Sequence, residues 1–120
     1  MNEYLIQELE RLNIEDIIYI IFIILSIINI LGDNNQKKYL YTNDMYYQNK
    51  ANNYFTFTII IVIFIYLYYL SRNYNLYLLS NNKELLSIKV LGSTFLLIGT
   101  ICLLYFQINN KENFIGTPAI

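Results

Sequence analysis

Apolar and polar residues in this chain segregate into blocks rather than alternating. Three apolar blocks, 17–31, 54–70 and 90–106, are separated by segments rich in Asn, Lys, Tyr and Asp. Twelve of the fifteen residues in the first block are Ile, Leu or Phe, which outweighs the polar cost of Ser26 and Asn29. Fifteen helical residues reach only ~22 Å, short of the ~30 Å hydrocarbon core of a bilayer. Extending the block to 14–32 brings it near the required length, with Glu15 and Asp16 among the headgroups. The second block has no charge over seventeen residues and carries tyrosines at both ends, the signature of interfacial aromatic belts. The third is preceded by Lys89, whose long stem can carry its ammonium outward.

The pattern therefore predicts an all-α integral membrane protein with three transmembrane helices, at about 14–32, 54–71 and 88–107. Residues 1–13 place Leu5, Ile6, Leu9 and Leu12 at helical spacing and predict a short amphipathic helix at the membrane surface. Gly32 followed by Asp33-Asn34-Asn35 reads as a helix stop, so 33–53 is expected to be a polar connection. Within it, Asn43 or Asp44 can cap an early start of the second helix. Residues 72–83 are too apolar for a free loop, so either the second helix runs past Arg72 or the stretch lies in the interface. Asn81 with Glu84 resembles a capping box, which starts the third helix near Asn82. The tail 109–120 contains Pro118 and is expected to be irregular, and the 120 residues make a single membrane domain.

Composition strengthens this reading. The chain is 56% hydrophobic and 14% charged, a load that a soluble domain of this size has too little interior to bury. A net charge of −1 provides no basic patch for nucleic acid. The acidic start and the lack of a small-residue cleavage site argue against a cleaved signal peptide. Orientation is a tie: Arg11, Arg72, Lys83 and Lys89 fall on one side, and Lys37, Lys38, Lys50 and Lys111 on the other. The acidic N-terminus tips the expectation towards the cytoplasm.

Candidate chemistry is sparse. Histidine is absent, and the single Cys102 is expected to be a small buried hydrophobe. No phosphate loop, hydrolase elbow or zinc signature occurs, so no enzyme activity, cofactor, metal or small-molecule ligand is expected. What remains is packing. Glu15, Tyr19, Phe22, Ser26, Asn29 and Asp33 recur at spacings that form one polar stripe on the first helix. Gly92 and Gly99 lie a heptad apart on the third, with Ser93 and Thr100 one step round, allowing close helix approach. Tyr19, Ser26, Asn29, Gly92 and Gly99 are thus the packing candidates. The Ser26/Asn29 face is expected to meet the Gly92/Gly99 face, within or between chains, so that Gly99→Leu harms assembly more than Leu97→Ala.

On these grounds the chain reads as a small non-enzymatic membrane protein acting through helix–helix assembly, as an accessory or scaffold subunit or a homo-oligomer. Its partners would be the lipid bilayer and a membrane protein or further copies of itself. The alternative is a pore-former: three short spans in about 100 residues fit a holin-like plan, by analogy alone.

Overall fold

A computed structural model describes residues 2–110. It contains three α-helices: α1, Glu3–Thr42; α2, Met45–Leu79; and α3, Lys83–Ile108. Among the described residues there is no strand. Each helix is long and apolar enough to cross a membrane.

The helices run further than the apolar blocks alone imply. The predicted stop at Gly32 does not occur: α1 continues through Asp33, Asn34 and Asn35 to Thr42, forty residues in all. Gly32 keeps a negative φ, so it makes no left-handed C-cap. What overrides the weak propensity of the Asp-Asn-Asn run is tertiary packing, since Gln36 on α1 is buried, as are Gln48 and Ala51 on α2. At the other end, the amphipathic segment is no separate element but the first turns of α1, capped by Asn2, whose side chain accepts from the Leu5 N–H at 2.8 Å.

The expected polar connection shrinks to two residues. Asn43 adopts φ 55° and donates its backbone N–H to the Tyr39 carbonyl at 2.7 Å, closing α1. Asp44 follows in extended conformation and caps α2 by accepting from the Tyr46 N–H at 3.0 Å. α2 does run past Arg72, ending at Leu79. Asn82 caps α3, its side chain accepting from the Leu85 N–H at 3.3 Å, so the start is where the sequence placed it, with Asn82 rather than Asn81 as the cap.

The arrangement is a row with α2 in the middle. α2 packs against α1 on one side and α3 on the other, while α1 and α3 make no close backbone approach to each other. The extents, 60 × 28 × 15 Å, match three helices side by side at ~8–10 Å separations, one layer thick. The longest extent equals the ~60 Å length of a forty-residue helix. Burial follows: Phe55, Thr58, Ile59 and Val62, all on α2, are fully covered.

Candidate functional site: the helix-packing faces

α1 meets α2 through one row: Ile18, Phe22, Leu25, Asn29, Gly32 and Gln36, spaced four and three apart. This has the period of the polar stripe predicted from the sequence and shares Phe22 and Asn29 with it. It is rotated by ~60° around the axis, at ~100° per residue. Ile18 and Leu25 pack with Val62 and Ile65, and Phe22 lies against that cluster. The rotation splits the stripe. Glu15 and Asn29 engage α2, whereas Tyr19, Ser26 and Asp33 stay exposed. Ser26 turns its hydroxyl back onto its own helix, donating to the Phe22 carbonyl at 2.9 Å.

Gly32 has a role the sequence reading missed. A Cβ added there would lie 2.7 Å from Cε1 of Phe55, a ring with no exposed surface. Gly32 is the close-approach point between α1 and α2. Its one sequence signal is its place on the Leu25–Asn29–Gln36 row, which becomes visible only when the row rather than the polar stripe is followed.

Buried amides bridge the helices at three levels. The Thr58 hydroxyl donates to Asn29 Oδ1 at 2.9 Å and lies 3.0 Å from the Phe55 carbonyl. Thr58 has one hydroxyl proton, so the two oxygens compete for it. Asn73 Nδ2 donates to Ser93 Oγ at 2.6 Å, and Ser93 passes its own proton to the Lys89 carbonyl at 3.0 Å. Gln107 Nε2 donates to Asn52 Oδ1 at 2.9 Å near the opposite end of α3. Asn29, Asn73 and Gln107 each keep a second amide atom buried without a partner. Of these residues only Asn29 stood among the sequence candidates. Ser93 was noted only as a neighbour of Gly92, and the others share their helix faces with apolar residues that suit lipid and protein alike.

A charged cluster closes one end of the α1–α2 interface. The Arg72 guanidinium pairs with Glu15 across the helices, and Arg11 pairs with Glu15 and Glu8 at 2.9 Å along α1. Arg72 also sits over the Tyr69 ring, 5.0 Å from its centroid. The hydrogen bond to Glu8 raises Arg11 above its usual pKa, so it is charged at any ordinary pH. Arg72 points inward, because a carboxylate is within reach on α1.

The α3 candidates sit away from α2. The face of α3 buried on α2 is Ser93, Leu97, Thr100 and Gln107, one step round from the glycines. Gly92 and Gly99 have nothing within 4 Å of the position a Cβ would take. Within the chain, then, the expected meeting of Ser26/Asn29 with Gly92/Gly99 does not occur, because α2 stands between the two helices. Leu97 is a core residue and Gly99 an open one. Cys102, expected to be buried, is exposed on α3.

Among the described residues no three His, Cys, Asp or Glu side chains are grouped to hold a metal ion. No family model, curated protein or solved structure matches the chain. Its own geometry defines the class: an all-helical chain of three candidate membrane-spanning helices in a single row.

Proposed function

We propose that this chain is a non-enzymatic three-span membrane protein that works by helix–helix assembly, as an accessory or scaffold subunit or as a homo-oligomer. Its hydrocarbon segments lie at about 14–32, 54–71 and 88–107. Arg72 and Glu15 then sit at one boundary, and Gln107 and Asn52 near the other. The N-terminus is assigned to the cytoplasm on the acidic residues of 3–16 alone, since the basic residues divide four and four.

The observation that carries the proposal is the open α3 face. Gly92 and Gly99 lie a heptad apart, each with nothing within 4 Å of the position a Cβ would take. A bare backbone surface of that kind suits van der Waals contact with another helix, which in lipid is a main source of helix association. Exposed Tyr19 and Ser26 on α1 supply a second, polar-tipped face on the far side of α2. A row one helix thick leaves both faces reachable, as a subunit that packs laterally requires.

Mild extraction from the native membrane, followed by mass measurement of the purified particle and a dye-leakage assay in vesicles, tests the reading. A defined homo-oligomer or a stoichiometric partner without leakage is expected, and Gly99→Leu should dissociate it. Large rings that release dye would replace this function with pore formation. A monodisperse single chain from every mild extraction would sink the assembly reading.

A further inference from the structure

We propose that the groove between α2 and α3 at the Lys83 end is a binding site for one anionic phospholipid. This rests on the membrane placement proposed above. A groove of about 410 Å³ is lined by Leu67, Leu70, Ser71 and Tyr74 from α2 and Val90 and Thr94 from α3. A smaller pocket of about 90 Å³, lined by Tyr74, Tyr77, Ser87 and Val90, shares Tyr74 and Val90 with it. The two adjoin at Tyr74 and Val90 along the helix pair.

The walls of the groove are apolar at both levels. The proposed hydrocarbon boundary falls near Ser71 on α2 and Ile88 on α3. From there the groove descends ~6 Å to Leu67 and rises ~9 Å to Tyr77, at ~1.5 Å per residue. The lower wall is Leu, Val and the Thr94 methyl, suited to an acyl chain. The upper wall, formed by Tyr74, Tyr77, Ser87 and Val90, is apolar as well, and the Ser87 hydroxyl is engaged by its own helix, donating to the Glu84 carbonyl at 2.6 Å.

Charge selects the headgroup. Lys83 holds its ammonium 5.1 Å from the centre of the Tyr77 ring, at the upper end of the groove, and donates to the Leu78 carbonyl at 3.4 Å. Tyr77 is in turn stacked on Tyr74, with centroids 6.3 Å apart. Lys83 has no carboxylate partner among the described residues, because the ion pairs there join Glu8, Arg11, Glu15 and Arg72. Lys89 adds a second cation at this end and Glu84 is the one acid in 72–110. The site is a prepositioned cation above an apolar groove, the complement of a lipid with a net negative headgroup.

The full chain, reconstituted in vesicles of equimolar phosphatidylcholine and phosphatidylglycerol, is re-extracted mildly and its bound lipid counted by native mass spectrometry. The wild type should enrich phosphatidylglycerol about fivefold, the worth of one lysine at a lipid surface. Lys83→Gln should remove most of that enrichment, leaving only what Lys89 contributes. Val90→Phe, which fills the groove, should lower retention of both, and Lys37→Gln at the opposite end should change nothing. Inorganic phosphate in excess should not displace the lipid. Parity in the wild type, or enrichment that Lys83→Gln leaves undiminished, overturns the site. Extraction of the wild type by alkaline carbonate overturns the membrane placement instead, so the two failures are told apart.

Discussion

Substituting alanine for Gly32 separates backbone packing from every other property of that residue. Among the described residues three glycines lie inside helices, and the same chemical change at each meets different surroundings. At Gly32 the new Cβ falls 2.7 Å from the buried Phe55 ring, while at Gly92 and Gly99 nothing lies within 4 Å. Alanine gains about 1 kcal/mol of helix propensity over glycine at each position. At Gly32 that gain is opposed by overpacking of about 1–3 kcal/mol, because Phe55 has no exposed edge towards which to move. The expected gap between Gly32→Ala and Gly99→Ala is therefore about 1–3 kcal/mol in favour of Gly99→Ala, whatever the propensity term is worth. The assay is SDS-driven unfolding in dilute mixed micelles, where chains are separate, followed by fluorescence transfer between labels on α1 and α2. Trimming the ring should restore room: Gly32→Ala with Phe55→Leu should show a favourable coupling of about 0.5–3 kcal/mol over the sum of the single changes. Equal effects at Gly32 and Gly99 would refute the close approach, as would strict additivity with Phe55→Leu.

Other expectations use the same unfolding measurement. Arg72→Leu should cost about 1.5–3 kcal/mol, since it strips a mostly covered Glu15 of its cross-helix partner. Arg11→Leu, at a residue paired only within α1, should cost clearly less than Arg72→Leu; the reverse order would refute the cross-helix pair. Thr58→Val and Asn29→Leu should each cost about 0.6–1.7 kcal/mol, with the double variant no worse than either alone. Additive losses would mean that the two side chains do not meet. A nitroxide on Cys102, the chain's single cysteine, should relax with oxygen and not with a water-soluble nickel chelate, because it is exposed on α3 within the proposed span. Strong relaxation by nickel would place that stretch in water.

The existence and type of the helices were legible in the chain alone. Runs of Ile, Leu and Phe over fifteen or more residues, with tyrosines at their edges, demand internally satisfied backbone and burial in apolar surroundings, and a helix is the local answer. The caps at Asp44 and near Asn82 were legible for a similar reason: they depend on one side chain reaching a backbone N–H two or three residues on. The end of α1 was not. Gly32 and the Asp-Asn-Asn run carry local stop signals, and the helix continues because 33–42 has α2 to lie against.

The facing of the helices was the other loss. Polarity marks the packing face at Asn29, where an amide must find a partner, but not at Ser26, where the hydroxyl is satisfied by its own helix. On the remaining positions Ile and Leu carry no directional information, because they suit lipid and protein equally. By itself the sequence determined three apolar helices, their periods and the absence of charge at their centres. Tertiary structure alone decided that α2 stands between the other two, that Gly32 rather than Gly92 or Gly99 takes the close approach within the chain, and that Arg72 turns inward to Glu15. Each of those is settled by which side chains interlock across a distance in sequence, a matter of shape and hydrogen-bond reach that no local pattern encodes.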